Sequence, residues 1–143
     1  MFDTNHLHPM LVHFPIALIM VGFLADIIFL FYKKEKCLYK TGFYLMILGT
    51  LGVISAFGSG YFFAIEPTEG EIVKIFELHE TCALITMIIV IIGLALRIYI
   101  MMKKKEETQL KWVVLSLYLL GAVFVSATGF LGGNMVYTYM IGI

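Results

Sequence analysis

Apolar residues run almost unbroken from about Pro9 to Tyr32, from Gly42 to Ile65, from His79 to Met102 and from Trp112 to Gly133. Charged residues gather in the gaps: KKEKCLYK, EPTEGEIVKIFE and KKKEETQLK. Each run is near the 20 residues that a helix needs to cross about 30 Å of hydrocarbon. The pattern predicts four transmembrane helices and a single all-α domain over residues 1–143, a four-helix bundle in the membrane. The short tail NMVYTYMIGI follows the last run.

Composition agrees. The chain is 61% hydrophobic and 14% charged, with a mean hydropathy of +0.96. A soluble domain of 143 residues lacks the interior to hide that much apolar surface. The first run carries no preceding Lys or Arg, and Asp3 has the wrong sign for a basic leader. A retained span is therefore expected rather than a cleaved signal. Formal net charge is zero and no basic tract exists, which argues against nucleic acid as a partner.

Charge also predicts direction. Lys33, Lys34, Lys36 and Lys40 occupy the first connection, and Lys103, Lys104, Lys105 and Lys111 the third. Only Lys74 lies in the second. Lysine-rich connections stay on the cytoplasmic side, so both termini and the second connection are expected outside. All four histidines, His6, His8, His13 and His79, then share the outer side. Cys37 and Cys82 fall on opposite sides of the bilayer in this topology, too far apart for a disulfide. In the second connection, Thr68 and Glu71 have capping-box spacing. Ile72, Ile75, Phe76 and His79 follow at helical spacing, which predicts a short interfacial helix leading into the third span.

A repeat emerges when each position is compared with the one 71 places later. Leu7–His8 meets Leu78–His79, Gly22 meets Gly93, and Lys33–Lys34–Glu35 meets Lys104–Lys105–Glu106. Ser55, Ala56 and Gly58 meet Ser126, Ala127 and Gly129. Two hairpins that start on the same side form a parallel repeat about an axis along the membrane normal. Asp26 and Arg97 occupy equivalent positions at similar depth. An unpaired intramembrane charge is costly, so the two are expected to pair as a structural clamp across that axis.

The histidines are the candidate chemistry. Pro9 suits a first helical turn, which makes His8 the expected N-cap, and Pro15 is expected to kink the first span. His8 and His13 are five residues apart, about 140° around a helix. The repeat pairs His8 with His79, while His13 lies deeper and has Leu84 as its counterpart. Two imidazoles facing one another across a bundle are what a six-coordinate haem iron requires. Gly58, Gly129, Gly132 and Gly133, near the same end, offer flat surface for a macrocycle, and Tyr137 is placed to cap it. His79 is expected as one ligand, with His8 or His13 as the other and His6 dispensable. A second reading makes His8, His13 and His79 ligands to Zn or Cu. A third makes the chain a cofactor-free accessory subunit whose glycines and histidines only pack helices. No nucleophile–base pair is apparent, so an electron carrier or redox-complex subunit is expected rather than a stand-alone enzyme.

The stretch HPMLVHFPIAL and the closing GGNMVYTYMIGI resemble the prokaryotic membrane family called domain of unknown function 2231. Its members typically begin with an HPxxVHFP-type stretch, have four spans and end in GGxLVYxxGxG. His8, Pro9, His13, Phe14, Pro15, Gly132, Gly133, Val136, Tyr137 and Gly142 match that pattern. Met135 replaces the usual Leu, Met140 stands where Gly is common, and Tyr139 stands where some members have His. Some members are fused to cytochrome-type or Rieske-type domains. The resemblance thus implies a redox setting and adds to the haem reading of the histidines. The expectation from both is a b-type haem in a prokaryotic cytoplasmic membrane, with quinone or an outer-side redox protein as partner beside the bilayer itself, and a possible homo-oligomer.

Overall fold

The computed structural model describes residues 7–63, 66–104 and 108–139; of residues 7–10 and 63 it describes the backbone alone. The described chain forms four helices: α1 (Leu7–Phe31), α2 (Lys36–Phe63), α3 (Glu71–Met102) and α4 (Leu110–Tyr139). All four are long and apolar enough to cross a membrane. They are arranged as a ring in which α1 and α3 each touch both α2 and α4, with the most extensive packing inside each hairpin. One end of the bundle carries the α2–α3 connection, the beginning of α1 and the end of α4. We call it the histidine end, and the opposite one the lysine end.

Close approach inside each hairpin depends on glycine notches. A Cβ at Gly49 would stand 2.7 Å from Ile19 Cδ1, and one at Gly121 would stand 2.9 Å from Val90 Cγ1. Ile19 and Val90 are repeat equivalents, and their notches agree to within one residue. A β-branched residue at the same repeat position therefore enters a glycine notch at nearly the same place in both hairpins, the small-residue packing expected where lipid tails provide no hydrophobic drive. Ile19, Met46, Val53, Val90, Tyr118, Ala122 and Val125 form the core between them.

The helices extend beyond the predicted spans. α3 begins at Glu71, so the expected interfacial segment is the first two turns of the span helix itself. Its exposed Glu71, Lys74, Glu77 and Glu80 cannot lie in hydrocarbon, and the Glu71–His79 stretch carries α3 roughly 12 Å past the apolar run. The capping box is not formed. The N-cap is Gly70, at φ 89°, and no side-chain bond caps the helix. The left-handed φ suits glycine, and it lets the chain turn directly into α3. α4 continues through Gly132 and Gly133 to Tyr139, so the pair does not end the helix. α1 begins at Leu7, placing His8 inside the first turn rather than at the cap. α1 runs unbroken through Pro15, whose buried ring packs against α2, 3.3 Å from where a Gly52 Cβ would stand.

Candidate functional site

His79 lies on α3 at the histidine end and is half-buried against α4. Its Nδ1 is 3.0 Å from the Thr128 carbonyl oxygen. A carbonyl only accepts, so Nδ1 carries the proton, and in the neutral ring the lone pair resides on Nε2. Gly132 lies one turn beyond Thr128, where a Cβ would come within 3.2 Å of the His79 Cε1. The imidazole thus rests on bare α4 backbone. Deeper along the same seam, Thr86 is buried, and its hydroxyl donates to the Cys82 carbonyl at 2.7 Å and meets Thr128 Oγ1 at 3.4 Å. Thr86 and Thr128 were not among the expected site residues. The signal was available, because Thr86 is seven residues from His79, two turns along one face, and hydroxyls inside spans seek partners on neighbouring helices.

The other expected site residues separate into groups. His13 is exposed, beside an exposed Phe14 and a buried Pro15, so it projects away from the bundle interior. Gly129 receives the side chain of Ile16, with 2.6 Å between a Cβ there and Ile16 Cδ1. It serves the contact between α1 and α4 rather than an open surface. A Cβ at Gly58 or at Gly133 would meet nothing within 4 Å. Tyr137 is 85% exposed and does not cap the interior. His6 lies outside the described residues, as does the side chain of His8. Among the described residues, no group of three His, Cys, Asp or Glu side chains converges to hold a metal ion.

The second polar centre lies in the lysine half. The Arg97 guanidinium grips the Asp26 carboxylate with both arms: Nη1 donates to Oδ2, and Nη2 donates to Oδ1 at 2.8 Å. The pair joins α3 to α1 through the middle of the ring, and both residues are buried, at 3% and 8% exposure. Nη2 also donates to the Tyr39 carbonyl at 3.1 Å. The guanidinium carbon lies 5.0 Å from the centre of the Tyr39 ring and 5.7 Å from that of Phe43. Burial of two charges is tolerated when geometry is bidentate and remaining donors are satisfied, and aromatic faces add cation–π attraction. Gly42 makes this possible, because a Cβ there would overlap Asp26 Oδ1.

The family described as "Predicted membrane protein (DUF2231)" matches residues 4–143. The chain belongs to this family. No curated protein and no solved structure matches it. Four membrane-spanning helices and membership of this family make the chain a multi-pass membrane protein.

Proposed function

We propose that the histidine end holds a b-type haem between α1 and α3, and that the protein carries electrons in the membrane. Helical register carries the proposal. Asp26 and Arg97 meet at the bundle centre, which marks the inward faces of α1 and α3. Position 79 lies 18 residues before Arg97, and position 8 lies 18 before Asp26; that is five turns of about 3.6 residues. The same two inward faces therefore carry the ion pair toward one end and histidine positions at the other. Position 13, by the same count, falls on the outward side, in keeping with the exposure of His13.

The donor chemistry fits haem. A ligating imidazole characteristically donates its other N–H to a carbonyl, which fixes tautomer and ring orientation, and Thr128 accepts from His79 in this way. His79 and His8 are the proposed axial ligands. Two imidazoles complete a haem iron, whereas zinc takes three or four protein ligands. A bound haem supplies reversible one-electron transfer. The chain's own part is to hold His79 against Thr128, to seat its ring on the bare backbone at Gly132 and to anchor α1 to α3 through the ion pair. With the lysine end in the cytoplasm, the site faces outward, within reach of quinone or an external redox protein.

The test is an absorption spectrum of protein purified from haem-supplemented cells. A Soret band with sharp reduced α and β bands, lost in both His79→Ala and His8→Ala, supports the proposal. A colourless wild-type protein with stoichiometric zinc or copper, or with no cofactor at all, overturns it.

A further inference from the structure

Tyr118 is completely buried at the bundle centre, and its hydroxyl has no hydrogen-bond partner among the described residues. Phenylalanine would fill the same apolar volume without an orphaned polar atom, and such an atom in a low-dielectric interior is costly. The phenol is also held in place. The Phe23 ring meets it edge-on at a centroid distance of 5.8 Å, and its oxygen occupies the position where a Gly22 Cβ would stand. The Gly22 Cα hydrogen thus points at the phenol oxygen, a weak contact that leaves the O–H proton without an acceptor.

The candidate acceptor is close in the fold. Asp26 lies four residues after Gly22, on the same face of α1. The Gly22 carbonyl is 3.2 Å from a Gly42 Cβ position that overlaps Asp26 Oδ1. Gly22 and Gly42 present backbone, rather than a Cβ, to the phenol and to the carboxylate, with Leu45 Cβ beside Gly22 as a further wall. Arg97 occupies one direction at each carboxylate oxygen, and each oxygen has further lone-pair capacity.

We propose that one buried water sits between the phenol and the carboxylate, where it accepts from the Tyr118 hydroxyl and donates to the Asp26 carboxylate. A buried water needs two or more polar partners, and the phenol, the carboxylate and the Gly22 carbonyl provide them. Tyr118 is then the third side chain of the central polar network, linking α4 to the α1–α3 pair.

The experiment compares wild-type protein and Tyr118→Phe in nanodiscs, by thermal unfolding and by infrared difference spectroscopy in ordinary water and in ¹⁸O-labelled water. The expected result is a midpoint lowered by about 2–4 °C in the variant, with loss of an ¹⁸O-sensitive water O–H band that wild type shows. An unchanged or raised midpoint overturns the proposal, because the hydroxyl then contributes nothing. Absence of the ¹⁸O-sensitive band overturns the water, whatever the midpoint does. Should Tyr118→Phe fail to accumulate, Asp26→Glu serves instead. It moves the carboxylate and should shift the band, and a band indifferent to that change is equally decisive against the site.

Discussion

His79 Nδ1 and the Thr128 carbonyl oxygen face each other at 3.0 Å across the seam between α3 and α4. A helix carbonyl already accepts from the amide four residues on, and a second donor uses its remaining lone pair. The imidazole is therefore oriented by backbone, which cannot be altered by changing Thr128 itself. Replacing the neighbour is the way to disturb it. Gly132→Val places a branched side chain against Cε1 and should tilt the ring, shifting the spectrum of any bound haem without abolishing binding. Gly133→Val, into open space, should leave the spectrum unchanged. Equal spectra for all three proteins would remove Thr128 and Gly132 from the site.

His13 supplies the contrast. It is exposed on the outward side of α1, so His13→Ala should retain full haem content and an unaltered reduced spectrum. Haem loss in that variant would move the ligand pair to His13 and His79 and overturn the register argument.

Asp26→Asn should destabilise the bundle by about 3 kcal/mol, because Arg97 would keep its charge and lose the group that neutralises it. Adding Arg97→Gln should recover part of the loss. Thermal unfolding in detergent reads both. A single variant that melts like wild type would show that the pair contributes nothing to stability.

Gly42→Ala is predicted to mimic the loss of the pair without touching either charge. Its methyl would occupy the place of Asp26 Oδ1, and overpacking of this kind typically costs about 1–3 kcal/mol. Gly58→Ala, with nothing within 4 Å, is the matched control and should be neutral. Similar melting of the two variants would contradict the close fit at Gly42.

Orientation can be tested through Cys37, which is exposed in the α1–α2 hairpin at the lysine end. A membrane-impermeant maleimide should leave it unlabelled in intact cells and label it after lysis. Labelling before lysis would place the lysine end outside and invert the topology.

Hydropathy marks where a chain crosses hydrocarbon, which is why four spans were legible, and why their ends were not. Glu71, Lys74 and Glu77 are good helix formers, so α3 continues into water where the apolar pattern stops. Gly132 and Gly133 would weaken an isolated helix, but here α4 runs on past them because Gly132 packs against His79. The Asp26–Arg97 pair was predictable from the cost of lone charges and from shared depth. Its surroundings were not, because Tyr39 contributes a carbonyl and Tyr118 reads in sequence as one more interfacial or core aromatic. The outward direction of His13 was encoded all along. Thirteen residues separate it from Asp26, which puts it on nearly the opposite side of α1, but that inference needs Asp26 as a fixed inward reference.

Asp26 and Arg97 occupy equivalent places in two halves that also share the packing of Ile19 and Val90 on glycine. In a symmetric dimer of identical hairpins, a residue on the axis meets its own copy. Aspartate would face aspartate, or arginine arginine, and the centre would repel itself. Opposite charges at one repeat position are thus open only to halves free to diverge, as joining them in one polypeptide permits. The ion pair acts as a mating key. The first hairpin fits a second and rejects another first, so the same contact that steadies the bundle also disfavours the pairing of like halves.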